Sequence, residues 1–193
     1  MSQELEIEFR NMLTASEYEK LTTDFNIKAD DYFEQINYYF DTPAFALKNR
    51  QSALRIRKIK NNDQLTLKTP EGNGLLETTQ ILGADQTDAI LKGANIPIGK
   101  VREQLAKLSV SYEDLILFGS LKTIRSEIEY KKGLLVFDKN FYGNVVDYNL
   151  EYEVPDYEKG KSIFSELLEN YSITEIPAPN KIERFYTEVY HNE

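Results

Sequence analysis

Strict alternation of charged and apolar residues is the feature that most constrains how this chain can fold. It begins at positions 4–10, which read ELEIEFR, and returns as RIR at positions 55–57 and EYE at positions 151–153. Because successive side chains of a strand point to opposite sides of the sheet, a period of two gives each strand one charged and one apolar face. The chain therefore predicts a sheet whose two faces differ in chemistry.

Further segments predict that this sheet is antiparallel and covered by helices. Period-two or aromatic stretches separated by turns of hairpin size predict strands over residues 35–41, 53–60, 64–68, 76–82, 118–130, 134–142, 145–154 and 182–190. A capping box at Thr14 and Glu17 predicts a helix of about three turns that ends near Asp24. Apolar spacing predicts two short helices between Asp85 and about Asp114, and another over 158–171. We expect one domain over residues 1–193, an antiparallel barrel or sandwich of eight or nine strands with helices outside.

Composition excludes several kinds of site. The chain has 193 residues, no Cys and a single His, so disulfides, thiolate zinc sites and Cys nucleophiles are ruled out. We expect that one histidine, His191, to be a solvated tail residue. Any metal must then be held mainly by carboxylates. Neither GxxxxGKS/T nor GxGxxG occurs, so a phosphate-rich ligand would have to be held in another way.

Charge and hydropathy also bear on partners and location. A formal net charge of −9 disfavours nucleic acid and anionic membranes. The N-terminus shows no basic segment followed by an apolar one, and no stretch approaches eighteen consecutive apolar residues. We therefore expect a cytoplasmic protein that binds neither nucleic acid nor a membrane.

The charged rows are segregated by sign along the chain. Acids concentrate at positions 4–8 and 151–153, whereas bases concentrate at Arg55, Arg57 and Lys68. One interpretation is the solvated side of an ordinary half-buried sheet. The segregated signs, the paired Arg forks that suit phosphate oxygens and the strongly apolar residues in between favour a packed outer shell around a charged interior.

A series of ordered motifs resembles those of the CYTH superfamily, the triphosphate tunnel metalloenzymes, which include class IV adenylate cyclases and thiamine triphosphatases. Glu6-Ile-Glu8-Phe-Arg10 is similar to the ExExK signature of that family. The others follow in the family's order over almost the whole chain: Tyr39-Phe-Asp41-Thr-Pro43, Ala53-Leu-Arg55-Ile-Arg57, Leu65-Thr-Leu-Lys68, Arg125-Ser-Glu127, Asp138-Lys139, Glu151-Tyr-Glu153 and Lys181-Ile-Glu-Arg184.

The resemblance implies an α+β fold in which an eight-stranded antiparallel β-barrel forms a tunnel, with helices packed outside. It implies that Mg²⁺ or Mn²⁺ is held by carboxylates, namely Glu6, Glu8, Asp138, Glu151 and Glu153. It implies a phosphate clamp made of Arg10, Arg55, Arg57, Lys68, Arg125, Lys181 and Arg184, and a catalytic role for Glu6, Glu8 and Arg10. The chemistry agrees, because these cations prefer carboxylate oxygen and phosphate oxygens prefer cationic donors.

The chain departs from the family pattern at two places. Arg10 stands where the signature has Lys, and Arg stays protonated, so it can clamp a phosphate but cannot readily exchange a proton. Lys181 and Arg184 cannot both face inward on one regular strand unless Lys181 precedes the strand or a bulge intervenes.

From this resemblance we expect a metal-dependent hydrolase of a small-molecule triphosphate: inorganic tripolyphosphate, thiamine triphosphate or a nucleoside triphosphate. Two alternatives stay open. One is a class IV adenylate cyclase, in which the ribose 3′-oxygen replaces water as the nucleophile. The other is a non-catalytic protein that binds polyphosphate or nucleotide. The sequence is also compatible with a homodimer.

Overall fold

In a computed structural model, which describes residues 2–59 and 62–190, strands and helices follow an order close to the one predicted. The strands in these residues are β1 Ser2–Leu13, β2 Phe33–Asp41, β3 Ala53–Lys58, β4 Asp63–Glu71, β5 Gly74–Leu82, β6 Ile116–Tyr130, β7 Gly133–Tyr142 and β8 Val145–Val154. The α-helices are α1 Ala15–Asp24, α2 Ala84–Leu91, α3 Lys100–Lys107, α4 Tyr157–Asn170 and α5 Lys181–Tyr190. Lys60 and Asn61, predicted to lie in and after a strand, and the predicted tail residue His191 are outside the described residues.

The strands close an antiparallel barrel in the order β1-β5-β4-β3-β2-β6-β7-β8. This confirms the predicted α+β barrel and excludes the sandwich. Most strands that follow one another along the chain pair with each other, as β3 does with β4 and β7 with β8, whereas β1 lies next to β5 and β2 next to β6. The first strand pairs with the last, which places Glu8 opposite Glu153. Among the described residues, no helix is long and apolar enough to cross a membrane.

The chain divides into two compact units. The first unit consists of Met1–Leu5 and Gln35–Ser120, and the second of Glu6–Glu34 and Leu121–Glu193. In the first unit, α2 and α3 share one apolar cluster with β3, β4 and β5. Its fully buried members include Leu54, Ile56, Leu65 and Leu67 from the strands, and Val101 and Leu105 from α3. Each such side chain contributes roughly 1.5–3 kcal/mol by leaving water, so the apolar faces of these strands are fixed towards the helices.

The second unit repeats this arrangement with other helices. Side chains of α1 and α4 pack on β7 and β8 in a cluster that includes Leu21, Phe164, Leu135, Phe137 and Leu150. Helix α1 begins at the predicted capping box: the backbone N–H of Glu17 donates to the Thr14 hydroxyl, and the backbone N–H of Thr14 donates to the Glu17 carboxylate. In both units the apolar core therefore lies between the strands and the helices, and the opposite strand faces are polar.

The predicted final strand over 182–190 is wrong, because these residues form helix α5. Burial follows the helical period: Lys181, Arg184 and Phe185 are buried, while Glu183 is exposed. The aromatic and β-branched residues of this segment suggested a strand, but their spacing does not alternate. The correction also removes the parity conflict, since residues three apart share one face of a helix.

An extended segment before α5 is fastened to β1. The side chain of Asn11, fully buried, accepts from the backbone N–H of Ile176 at 2.6 Å and donates to the carbonyl of Thr174 at 3.0 Å. The backbone of Met12 donates to the carbonyl of Ile176 at 2.8 Å. These bonds set the position from which α5 starts.

Candidate active site

Cationic side chains cover the polar strand face of the first unit. Arg55 and Arg57 alternate along β3 with Leu54 and Ile56, whose burial under the helices turns both guanidinium groups to the opposite face. Lys68 of β4 has the same orientation, because Leu67 beside it belongs to the apolar cluster. This face is the one turned to the inside of the barrel.

Glu77 of β5 is a carboxylate set among these cations. It lies opposite Lys68, and its Oε1 is 2.5 Å from Lys68 Nζ and 3.7 Å from Arg55 Nη2. Burial by itself would raise the pKa of Glu77, but Lys68, Arg55 and Arg57 lower it to about 2. Together, these four side chains keep a net positive charge that suits an anionic ligand.

A buried network of ion pairs occupies the polar face of the second unit. Arg125 of β6 lies opposite Asp138 of β7 and donates to both of its carboxylate oxygens, each at 2.7 Å. A further bond of 2.7 Å joins Arg125 Nη2 to Glu151 of β8. Lys181 of α5 contacts the same two carboxylates, with its Nζ 2.7 Å from Asp138 Oδ2 and also bonded to Glu151. Two acids and two bases thus neutralise one another.

This network keeps its carboxylates ionised. Burial would raise the pKa of Asp138, but Arg125 and Lys181 hold it below the usual range. Burial acts likewise on Glu151, where Lys181 and then Arg125 bring the pKa well below its ordinary value. Removing one cation would therefore leave buried negative charge without compensation.

Three further carboxylates form a cluster in the same unit. Glu6 and Glu8 lie on one face of β1, and Glu153 of β8 lies opposite Glu8. One carboxylate oxygen from each residue lies within 4.8 Å of the others. Burial, together with the charges of Glu6, Glu151 and Glu8, raises the pKa of Glu153 to about 7. Such mutual repulsion is what a bound divalent cation would relieve, and oxygen ligands are those that Mg²⁺ and Mn²⁺ prefer.

Arg10 connects this carboxylate cluster to α5. Its Nε is 3.6 Å from Glu8 Oε1, and its Nη1 donates to the side-chain oxygen of Asn180 at 2.7 Å. On α5 itself, Arg184 donates to Asp147 at 2.6 Å and to Asn149 at 2.9 Å. Arg10, at the position of the signature Lys, therefore links Glu8 to Asn180, the residue just before Lys181.

The structure brings the predicted site residues into these groups. Of the predicted metal ligands, Glu6, Glu8 and Glu153 lie together, whereas Asp138 and Glu151 are held in the ion-pair network. The predicted phosphate-binding residues divide between the units, with Arg55, Arg57 and Lys68 in the first and Arg10, Arg125, Lys181 and Arg184 in the second. The low exposure of Arg125 and Glu151, 5% and 4%, excludes the solvated-face interpretation of their rows.

Sequence reasoning missed the neutral members of the polar faces. Gln35 and Asn37 of β2 are buried, and Arg57 Nε donates to Asn37 Oδ1 at 3.0 Å. In the second unit, Asn140 and Asn149 bond to each other at 2.8 Å. Gln35 and Asn37 alternate with Ile36 and Tyr38, so the period-two pattern itself places these amides on the polar face, although a search for charged residues alone does not find them.

The fold and these side chains define a class of protein: a closed antiparallel barrel with its apolar cores outside and ionic strand faces inside. The chain belongs to the CYTH family, whose domain matches residues 4–186. Metal dependence is general in this family, and the carboxylate cluster is consistent with it.

Several known proteins are similar to this chain. A Bacillus subtilis (strain 168) protein named "Putative triphosphatase YjbK" is 45% identical over 188 residues, which is 97% of each chain. The crystal structure of a "putative adenylate cyclase" from Bacillus halodurans is 37% identical, with a TM-score of 0.93 over 96% of this chain and 100% of that one. A Hippeastrum protein, described as a putative adenylyl cyclase with a dominant triphosphatase activity, is 21% identical. Its TM-score of 0.71, over 95% of this chain and 96% of that one, shows the shared fold.

Proposed function

We propose that this protein is a divalent-metal-dependent triphosphatase acting on inorganic tripolyphosphate, thiamine triphosphate or a nucleoside triphosphate. The observation that carries the proposal is the carboxylate cluster of Glu6, Glu8 and Glu153, in which one oxygen from each residue lies within 4.8 Å of the others and burial together with neighbouring acids raises the pKa of Glu153 to about 7. The relative named as a triphosphatase, 45% identical over nearly the whole chain, supports this reading.

In this proposal Glu6, Glu8 and Glu153 hold Mg²⁺ or Mn²⁺. When bound, the ion supplies positive charge that polarises phosphoryl oxygens and neutralises the charge that develops on them. Asp138 and Glu151 act differently, because each already carries short bonds to Arg125 and Lys181. Their role is to fix those two cations in place.

The cations are proposed to bind phosphate oxygens. In the first unit these are Arg55, Arg57 and Lys68, three cations placed around the carboxylate of Glu77. In the second unit they are Arg10, Arg125, Lys181 and Arg184. Planar guanidinium groups can present two parallel donors to a phosphate, which orients it as well as binding it.

Hydrolysis then requires positioning and charge stabilisation more than covalent chemistry by the protein. A water oxygen bonds to the terminal phosphorus while the bond to the bridging oxygen breaks, and that oxygen leaves with its electron pair on the remaining diphosphate. A carboxylate of the cluster, Glu6 or Glu8, accepts the proton lost by the water and passes it to solvent. Arg10 remains charged throughout and stabilises the transferred group.

A second candidate is an adenylate cyclase, which the name of the 37% identical Bacillus halodurans structure favours. There the same clamp would hold ATP, and the 3′-oxygen of the ribose would attack the α-phosphorus and release pyrophosphate. The two activities differ in their products.

A substrate panel separates the candidates. Purified protein is incubated with tripolyphosphate, thiamine triphosphate or ATP, with Mg²⁺, Mn²⁺ or EDTA, and orthophosphate, pyrophosphate and cyclic AMP are measured. Orthophosphate release from ATP or thiamine triphosphate, or pyrophosphate and orthophosphate in equal amounts from tripolyphosphate, lost with EDTA, is the expected result. Cyclic AMP with pyrophosphate from ATP would establish the cyclase instead. Binding of all three without any product would overturn catalysis.

A further inference from the structure

Two neutral amides lie on the cationic face of the first unit. Gln35 and Asn37 are two residues apart on β2, so their side chains share one face. Asn37 lies opposite Arg57 in the β2–β3 register and is bonded to it, which puts both amides beside the cations of β3. Their exposures are 1% and 0%.

The bond from Arg57 fixes the orientation of the Asn37 amide. Because Arg57 Nε donates to Asn37 at 3.0 Å, the atom facing the guanidinium must be the amide oxygen. If the amide were rotated by 180°, its NH₂ group would face the Nε–H of Arg57, and two donors cannot form a hydrogen bond. The NH₂ group of Asn37 must therefore point away from Arg57.

That NH₂ group needs an acceptor. Within the described part of the chain, Asn37 Nδ2, Gln35 Nε2 and Arg55 Nε are buried and have no hydrogen-bond partner. A buried donor without an acceptor costs about 1–3 kcal/mol, and native proteins contain few of them. Three such donors lie on one face of the adjacent strands β2 and β3, which points to a ligand that offers oxygen acceptors.

We infer that Asn37 and Gln35 donate hydrogen bonds to phosphate oxygens of the substrate, beside Arg55 and Arg57. A metal ion would not serve, because donor N–H groups repel a cation and the face is already positive. A polyphosphate offers acceptors only, and it has more lone pairs than the cations of this face can fill. Neutral amides add directed bonds without adding charge, so they select for the placement of the phosphate rather than for its charge alone. This inference rests on the proposed function and adds two binding residues to it.

The substitution Asn37→Asp separates this role from a structural one. Aspartate has the same shape and still accepts from Arg57 Nε, so a residue needed only to hold Arg57 would work as well or better. It has no N–H to donate. We expect isothermal titration with inorganic tripolyphosphate to give a Kd at least about 10-fold higher for Asn37→Asp than for wild type, with the melting temperature unchanged or raised.

The added negative charge of Asn37→Asp needs a matched control. Gln64 lies opposite Arg57 on its other side, in the β3–β4 register, and Gln64→Glu places the same charge next to the same cation. Its effect on Kd measures the electrostatic part alone and should be several-fold smaller. Gln35→Met removes a donor without any charge change and should raise Kd about 3–10-fold.

The outcomes distinguish the inference from the function on which it rests. If wild type binds tripolyphosphate and Asn37→Asp binds it no worse than Gln64→Glu does, the amides are not ligands although the clamp stands. If wild type itself fails to bind tripolyphosphate with or without Mg²⁺, the proposed function fails first. A rise in Kd for Asn37→Asp beyond the control, with a smaller rise for Gln35→Met, supports both.

Discussion

Glu77 and Glu153 sit in comparable places, on the polar face of a strand in the barrel, yet their chemistry is opposite. In the first unit Lys68, Arg55 and Arg57 lower the pKa of Glu77 to about 2. In the second, burial and neighbouring carboxylates raise the pKa of Glu153 to about 7. The same side chain is a counter-ion in one unit and a repelled anion in the other. Strand position therefore sets only which face a residue takes, while its neighbours set what it can bind: an anion near Glu77, a cation near Glu153.

The largest expected effect is a loss of stability when the buried ion-pair network of the second unit loses Arg125. Arg125→Met leaves Asp138 and Glu151 buried beside Lys181 alone, so we expect the free energy of unfolding to fall by about 3–5 kcal/mol. The matched change in the first unit, Arg55→Met, leaves Glu77 in contact with Lys68 at 2.5 Å and should cost far less. Urea denaturation of both variants measures the difference. Equal losses would show that the two faces do not differ as described.

The next effect concerns the carboxylate cluster. Glu8→Gln removes one charge from the proposed metal ligands, and turnover of tripolyphosphate with Mg²⁺ should fall by at least about 100-fold, with secondary structure retained. Glu4→Gln is the control, because Glu4 lies on the same strand with the same parity but is exposed. Equal activity of the two variants would remove the cluster from the mechanism.

In metal-free protein, Glu153 and Glu77 should change the free energy of unfolding in opposite directions as the pH rises. The pKa of Glu153 is raised from 4.5 to about 7 in the folded state, so its contribution is full below about pH 4.5 and is lost as pH rises through about 7. Glu77, lowered from 4.5 to about 2, contributes above about pH 4.5 and loses this as pH falls through about 2. Each of these two contributions to the free energy of unfolding should amount to roughly 2 kcal/mol, because partial solvent exposure weakens the interactions.

Denaturation between pH 2 and 9 tests this pair. Glu153→Gln should flatten the decline towards neutral pH, and Glu77→Gln should flatten the acid limb, each without changing the other limb. Addition of Mg²⁺ should stabilise wild type more at pH 8 than at pH 5. A common response of both variants would contradict the assigned pKa directions.

The smallest effect is expected at the signature position. Arg10→Lys supplies one nitrogen where two now contact Glu8 and Asn180, so α5 should be held less firmly. We expect KM for tripolyphosphate to rise about 3–10-fold with kcat nearly unchanged, because a bound phosphate would still meet a cation. A fall in kcat with constant KM would instead indicate that the chemical step needs the guanidinium group of Arg10 itself and not only its positive charge.

Much of this arrangement was predictable from local patterns. The alternation at positions 4–10, the capping box at Thr14 and the hairpin turns each depend on residues close in sequence, and all are present. Helix α5 was predicted as a strand because its aromatic and β-branched residues satisfy strand propensity, although the apolar positions 182, 185, 186, 189 and 190 already follow the helical period in the sequence.

The pairing of charges could not be predicted in the same way. Arg125 meets Asp138 because of the exact register between β6 and β7, and Lys181 reaches both carboxylates of the network from a helix that follows much later. A register shifted by one residue would place Arg125 beside Phe137 or Lys139 instead. The family resemblance therefore predicted all five acids as metal ligands, and only their three-dimensional neighbours divide them into the carboxylate cluster of Glu6, Glu8 and Glu153 and the ion-pair network of Asp138 and Glu151.

The fastening of residues 174–178 to β1 has a consequence for synthesis on the ribosome. Asp138 and Glu151 are made well before Lys181 and Arg184, so a chain extended only as far as β8 has the acids of the network but not these two bases. Asn11 is synthesised early, and its side chain can form its hydrogen bonds to Thr174 and Ile176 only after the segment before α5 has been made. Closure of the second unit is then a late event that joins β1 to the segment before α5. Nascent chains stopped before α5 should stay protease-sensitive in that unit and become resistant when α5 emerges.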